Sequence, residues 1–406
     1  MSDSRSTAEN RASVLTPPGR GAIAVIAAIG PAAHAAIDQH FRAANGHLIA
    51  AQPVNRIAFG HWGDAAHAEE VIVCRQMTER LEVHCHGGVA AVTRITDALA
   101  AAGCRIIPWR EWLVAEAICP IIAEADAALA KSTTRRTAAI LLDQRNGALR
   151  KAIEAAQQEL SSQQIEAAHA RLAALLDRAE LGRRLAQPWQ VALAGRPNVG
   201  KSSLINAILG YQRAIVFDQP GTTRDVLAAD TAIDGWPIHL TDAAGIRGDA
   251  SDSIEAEGVK RARRRVQDAD LVIWVLDAQA LTSAQLADPL AVARAEMLAE
   301  LDYRTESSIQ PLVVINKCDL LPSLSPSPIP HSLFAISALH RTGLDALLAA
   351  IARRLVPNPP PPGEAVPFSR RQIELLQQAM TQLEHGEPYI ALKLIHCIQA
   401  QRAGSQ

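Results

Sequence analysis

The chain has 406 residues, room for two or three domains with a sizeable core. Its 40 Lys and Arg against 42 Asp and Glu leave a formal net charge of -2, which excludes a global basic field and confines any RNA contact to local patches. Aromatic residues make up 3% and are not interleaved with the basic runs, which argues against single-strand base stacking.

In chain order, the polar start Met1 to Arg11 lacks the apolar core of a secretory signal, and no apolar stretch is long enough to span a bilayer. A soluble, cytoplasmic protein with no membrane partner is expected. The six cysteines, Cys74, Cys85, Cys104, Cys119, Cys318 and Cys397, form no Cys-x-x-Cys pair, as suits reduced thiols. Residues 12–107 alternate apolar runs, such as Ile23 to Ile26, Val71 to Val73 and Leu81 to Val83, with Gly and Pro turns, and read as an N-terminal α/β domain. Here His84, Cys85 and His86 are adjacent. Alternate strand residues face opposite ways, so only the two histidines could share a metal, and a metal is not expected.

From about 111 to 187 the sequence is alanine-rich and helical, with Leu160, Ile165, Leu172, Leu175 and Leu176 spaced as an apolar stripe. Gln187-Pro188 ends that segment, and 189–355 reads as a doubly wound nucleotide-binding domain. Pro357 to Gly363 holds five prolines and reads as a stiff, extended linker. Residues 369–402 carry Ile373, Leu375, Leu376, Met380 and Leu383 at helical spacing. Two basic runs, Arg135-Arg136 and Lys260 to Arg265, are read as solvated helix faces before any RNA-binding role.

The most informative stretch is Gly195-Arg196-Pro197-Asn198-Val199-Gly200-Lys201-Ser202, directly after the apolar run Val191 to Ala194 and before a helix opening at Ser203. Glycines there let backbone N–H groups crowd phosphate oxygens, Lys201 brings a point charge to the outer phosphates, and the Ser202 hydroxyl can coordinate Mg²⁺. Asp242-Ala243-Ala244-Gly245 follows the run Ile238 to Thr241. Asp242 can hold Mg²⁺ through water, and the Gly245 N–H can meet the γ-phosphate. Between these, Gly221-Thr222-Thr223-Arg224-Asp225 offers a threonine hydroxyl, Thr223 before Thr222, to complete the metal shell, so the loop would be ordered by triphosphate and released on hydrolysis.

Asn316-Lys317-Cys318-Asp319 follows Leu312 to Ile315, at a strand's carboxyl end where open sheets bind ligands. Asp319 can accept from both N1–H and the exocyclic amine of guanine, a donor pair that adenine lacks. Asn316 could tie this loop to the phosphate loop, the Lys317 stem could cover the base, and the backbone N–H groups of Ser337-Ala338 could meet the guanine carbonyl. GTP and GDP are therefore the expected ligands. Ile246 follows Gly245 and has no donor or acceptor with which to orient the attacking water. Among the carboxylates of the following loop Glu255 is the candidate; it could equally begin the next helix, where an acid suits the positive end.

The phosphate loop with Asn198, the Gly-Thr-Thr-Arg-Asp loop, the Asp-x-Ala-Gly-Ile-Arg switch and the Ile254-Glu255-x-x-Gly258 stretch together resemble the MnmE (TrmE) tRNA-modification GTPases. Leu15 to Ile26 and the Leu81 to Gly88 segment, with its Cys-His-Gly-Gly, resemble that family outside the nucleotide-binding part. The resemblance implies a tripartite architecture: the N-terminal domain, a helical domain of 111–187 and 369–402, and a G domain inserted at 189–355. It implies a homodimer whose G domains pair in the triphosphate state, with K⁺ held partly by Asn198 and by carbonyls of the Ile215 to Thr222 loop, and water positioned by Glu255. It further implies a tetrahydrofolate one-carbon donor in the N-terminal domain, an FAD-containing MnmG (GidA)-like partner, and tRNA as substrate.

Four departures stand out. Pro220 sits in the loop that would hold K⁺, only Cys74 to Arg80 separates Val73 from Leu81, Trp109-Arg110-Glu111 follows Pro108 where relatives read Pro-Gly-Glu-Phe-Thr-Arg, and Cys397-Ile398-Gln399-Ala400 stands where relatives end Cys-Ile-Gly-Lys. Cys397 is read as a helix residue. The alternative function is a regulatory or ribosome/RNA-assembly GTPase that has lost the modification chemistry.

Overall fold

The computed structural model describes residues 10–19, 21–64, 68–77, 80–211, 228–243, 264–301, 310–321 and 333–400. The chain forms two compact units, Met1–Ala123 and Glu124–Gln406.

The first unit contains β1 (Arg11–Val14), β2 (Ile23–Ile29), α1 (Pro31–His40), β3 (Phe41–Ala43), β4 (Ile57–Trp62), β5 (Glu69–Arg75), β6 (Arg80–His86), α2 (Val89–Ala101), β7 (Arg105–Ile106) and α3 (Trp109–Glu116). Its sheet runs β3-β4-β5-β6-β2-β1-β7. Every pair is antiparallel except β1 with β7. Helices and strands are mixed as expected, but connections as short as the one between β5 and β6 cannot carry a crossover, so the strands meander. In β6 Leu81, Val83 and Cys85 are buried beneath α1 and α2, with Ile37, Ile95 and Leu99 in the same core. His84 faces the other way, 3.5 Å from Glu82, and His86 Nδ1 lies 2.5 Å from a Glu69 oxygen. Burial pushes the Cys85 thiol up to about 11, with the Glu69 charge adding to it, which keeps this thiol protonated. Trp112 of α3 packs with Ala27 and Ile107. The Arg11 and Arg80 guanidinium groups stand 5.7 and 5.8 Å from its ring centre and both bond Glu116, at 2.7 and 3.2 Å.

The division falls within α4 (Pro120–Leu129), and the second unit continues with α5 (Arg135–Arg145), α6 (Ala148–Ser161), α7 (Ile165–Leu176) and α8 (Ala179–Arg184). On α6 the stripe Leu149, Ile153, Ala156 and Leu160 is buried, and on α7 Ala168, Leu172 and Leu175. Beyond the nucleotide-binding part, two further helices, Arg370–Glu384 and Pro388–Gln399, return to pack on α7 and α6 respectively. The first begins at a capping box, in which the Ser369 hydroxyl accepts from Gln372 N at 3.2 Å and Gln372 Oε1 accepts from Ser369 N at 3.2 Å. Arg371 caps the end of the second by donating to the carbonyls of Cys397 and Ile398 at 2.9 and 3.0 Å. Cys397 is an exposed helix residue.

The proline-rich connection is strapped to the bundle rather than left as a free spacer. Gln144, fully buried, donates to Glu364 O at 3.0 Å and accepts from Val366 N at 3.0 Å. Gly182 faces the same strap so closely that a Cβ there would lie 1.8 Å from Pro367 O. Arg136 is not a solvated basic side chain: it donates to Asp234 O and Oδ2 at 2.6 and 2.7 Å and lies 4.5 Å from the Trp236 ring centre. Of the second basic run, residues 260–263 lie outside the described residues, and Arg265 donates to Asp242 O at 3.2 Å.

The nucleotide-binding part is a sheet of β8 (Trp189–Ala194), β9 (Ala228–Ile233), β10 (Trp236–Asp242), β11 (Leu271–Asp277), β12 (Leu312–Asn316) and β13 (Leu333–Ala335), ordered β13-β12-β11-β8-β10-β9. All neighbours are parallel except β9 with β10, the pair joined through Asp234 and Gly235, both at positive φ as a tight two-residue turn requires. Leu271 through Leu276 are buried without alternation, the pattern of a strand covered on both faces. The chain passes from β8 to β10 on one side and then to β11 on the other, so the carboxyl end of β8 is the switch point where doubly wound sheets hold ligands. Among the described residues, no helix is long and apolar enough to cross a membrane.

Candidate functional site

The switch point at β8 carries the phosphate loop, which leads into α9 (Lys201–Tyr211). Gly195 has φ +135, and a Cβ there would sit 2.3 Å from Val275 O; at Gly200, φ +95, it would sit 2.3 Å from the Asn316 amide nitrogen. Only glycine fits either position. Asn198 also adopts a left-handed backbone, φ 65, which asparagine tolerates better than most residues. The orphan N–H groups of the first turn of α9 give the loop its anion-binding character.

Lys201 is 6% exposed, and its ammonium donates to Gly195 O and Arg196 O at 2.9 and 2.8 Å. The charge is thus held inside the arc of the loop. The Ser202 hydroxyl donates to Asp242 Oδ2 at 2.9 Å, and Asp242 is 3% exposed. The parallel pairing of β8 with β10 brings these two oxygens together from 40 residues apart. Ser203 is exposed on the first turn of α9.

The base-side loops close on the phosphate loop through Asn316. Its amide donates to Val199 O at 3.0 Å, while its oxygen accepts from Ala338 N at 3.1 Å. One buried side chain therefore joins three loops. The Ala338 N–H is engaged here, and the Ser337 N–H goes to Thr342 O at 3.2 Å, so a guanine carbonyl would have to share or displace these bonds. Lys317, at φ 62, reaches Asn198 O at 3.0 Å and Asp277 Oδ2 at 2.6 Å. The Ser337 hydroxyl, its own backbone N–H and nearby His340 hold the Asp319 carboxyl below the ordinary carboxylate range. It is an anion at neutral pH, with acceptors for two donors.

Thr222, Thr223, Gly245 and Glu255 lie outside the described residues. Asp277 and Glu296, outside every sequence motif, and Arg196, named in the phosphate loop without a role, stand beside the candidate site. Asp277 carried a signal, since an acid ends the apolar run of β11 in register with Asn316. Arg196 and Glu296 carried none. Glu296 lies on the helix Pro289–Leu301; it bonds Arg196 Nε at 2.9 Å and accepts from the buried Trp274 indole at 3.0 Å.

Residues 190–317 match the profile of the 50S ribosome-binding GTPase family. The tRNA modification GTPase MnmE of Syntrophotalea carbinolica is 35% identical over 312 residues, covering 68% of this chain and 64% of that protein. The MnmE of Geobacillus kaustophilus is 30% identical over 422 residues, covering 92% of this chain and 88% of that protein. The chain belongs to the MnmE family. The likeness to the Geobacillus protein runs well beyond residues 190–317, which separates this MnmE-family chain from proteins sharing only a G domain. It is a GTPase: a guanine-nucleotide hydrolase of the P-loop class.

Proposed function

We propose that this MnmE-family GTPase takes part in wobble-uridine tRNA modification, with GTP turnover driving closure and opening of its G domains. The observation that carries this reading is the alignment over 88% of a tRNA modification GTPase, which reaches the regions outside the G domain. In this reading residues 12–107 form a folate-binding domain, 111–187 and 369–402 a helical domain, and 189–355 the G domain.

The residues divide the work as follows. Lys201 and the N–H groups of Val199, Gly200, Ser202 and Ser203 bind the phosphates, and Asp319, with Asn316, Lys317, Ser337 and Ala338, selects and encloses the base. Ser202 and Asp242 present two hard oxygens at 2.9 Å from each other, a donor set that suits Mg²⁺. Thr223, with Thr222 beside it, would complete that shell, and Gly245 would meet the γ-phosphate. Mg²⁺, when bound, supplies charge neutralisation along the phosphates. Glu255 orients the attacking water in place of Ile246. The partners would be a second copy of the chain, an FAD-containing MnmG (GidA)-like protein and tRNA.

The decisive experiment is mass spectrometry of tRNA nucleosides from a deletion strain. Loss of the modified wobble uridines is expected; an unchanged profile would leave the regulatory or assembly GTPase as the reading. That second reading draws on the short Cys74 to Arg80 connection and on Trp109 to Glu111. For K⁺ held at Asn198, hydrolysis is expected to run at least ~10-fold faster in KCl than in NaCl, by the charge stabilisation a fixed cation brings to the transition state. Equal rates in the two salts would remove K⁺ from the mechanism.

A further inference from the structure

We propose that Asp277 is a positioning residue for guanine-nucleotide retention, acting through the Lys317 ammonium. The proposal rests on reading Asn316 to Asp319 as the base-binding loop. It begins with the sheet: β11 and β12 are parallel with Asp277 opposite Asn316, so the side chain ending one strand stands beside the loop leaving the other. The carboxylate is fixed by two protein partners. Its Oδ1 accepts from Gln279 N at 3.0 Å, capping the single turn Ala278–Ala280, and its Oδ2 takes the Lys317 ammonium at 2.6 Å.

Lys317 has three N–H donors. One goes to Asp277 and one to Asn198 O at 3.0 Å, so its four-carbon stem is stretched from the base loop to the phosphate loop. That places the stem where it can cover a bound base and resist its departure. Without the carboxylate, the ammonium keeps one neutral acceptor in place of a charged one, and charge-assisted bonds are about twice as strong as neutral ones. The side chains are 33% and 16% exposed, so the pair is partly shielded from screening. Asp277 acts only through Lys317: it is aimed at the ammonium and at its own turn.

The test is the release rate of a fluorescent GDP analogue from the full-length protein. Asp277→Asn preserves shape and keeps an acceptor for Gln279 while removing the charge. It is expected to speed release about tenfold, the equivalent of roughly 1.4 kcal/mol. Lys317→Met should do the same, and the double variant should release no faster than Lys317→Met alone. A structural effect of the Ala278–Ala280 turn would instead make the two substitutions additive, and additivity overturns the proposal. So does a wild-type release rate in Asp277→Asn. Should that variant not fold, Asp277→Ser, which keeps a side-chain oxygen for the Ala278–Ala280 turn and removes the charge, takes its place, and an unchanged release rate there also overturns the proposal. Failure of the unmodified protein to bind the analogue would sink the base-loop reading itself, a result distinct from normal binding with no effect of Asp277.

Discussion

Lys201→Ala is expected to lower kcat/KM for GTP by ~100- to 1,000-fold, the loss typical when a preorganised charge is taken from a developing anion. Lys201 is 6% exposed, and its ammonium donates to Gly195 O and Arg196 O. Its position inside the loop is therefore set by the protein's own carbonyls. Alanine removes the charge and leaves two loop carbonyls without this donor, so the loop loses its shape as well as its field. Lysine's compact charge explains why arginine should not rescue: a planar guanidinium cannot occupy the same buried arc. Phosphate release under steady state and GDP affinity measure the effect, with circular dichroism as the folding control. Activity within threefold of the parent would mean that Lys201 does not face the phosphates.

Asn316→Ala should weaken guanine-nucleotide binding by about 100-fold and lower the melting temperature, through loss of the tie between loops. The side chain is 2% exposed and satisfies both Val199 O and Ala338 N. Each buried polar group left without a partner costs about 1–3 kcal/mol, so two of them account for a loss of that size. Asn316→Asp separates the two bonds, since a carboxylate can still accept from Ala338 N but repels Val199 O. It should fall between the parent and alanine in melting temperature. Equal stability of Asn316→Ala and the parent would show that the three loops are held together by something else.

Much of this site is legible in the chain because parallel sheets turn sequence order into spatial order. An apolar run followed by Gly195 to Ser202, by Asp242 or by Asn316 to Asp319 must end at the same sheet edge, so the relation of those residues follows from the strand pattern. The stripes of α6 and α7 are legible for a similar reason, although burial selects Ala168 and Ala156 where a reading by residue size favours Ile165 and Leu176. What escapes is contact between side chains whose elements meet by packing. Glu296 reaches Arg196 and Trp274 from a helix about 100 residues downstream of the phosphate loop, and no periodicity encodes that. Arg136 likewise reads as a surface cation until the β9–β10 turn is placed against α5. The antiparallel order of the first sheet depends on which strands pair across long connections, which alternation alone does not determine.

Base selection also has a pH signature. Because the Asp319 carboxyl is held below the ordinary range, its accepting form persists as pH falls, and is lost only below the usual carboxylate pKa. Guanine-nucleotide affinity should therefore be flat from about pH 8 to about pH 5 as far as this group is concerned.

The most direct test of a pocket built for guanine is to measure hydrolysis of GTP and of ATP by the same full-length preparation with Mg²⁺ and K⁺. A site that accepts from both donors of the guanine edge through the Asp319 carboxylate, and meets adenine with an unmatched acceptor, should prefer GTP by ~1,000-fold or more in kcat/KM. Comparable turnover of the two nucleotides would contradict the role given to Asp319 and the loop that carries it.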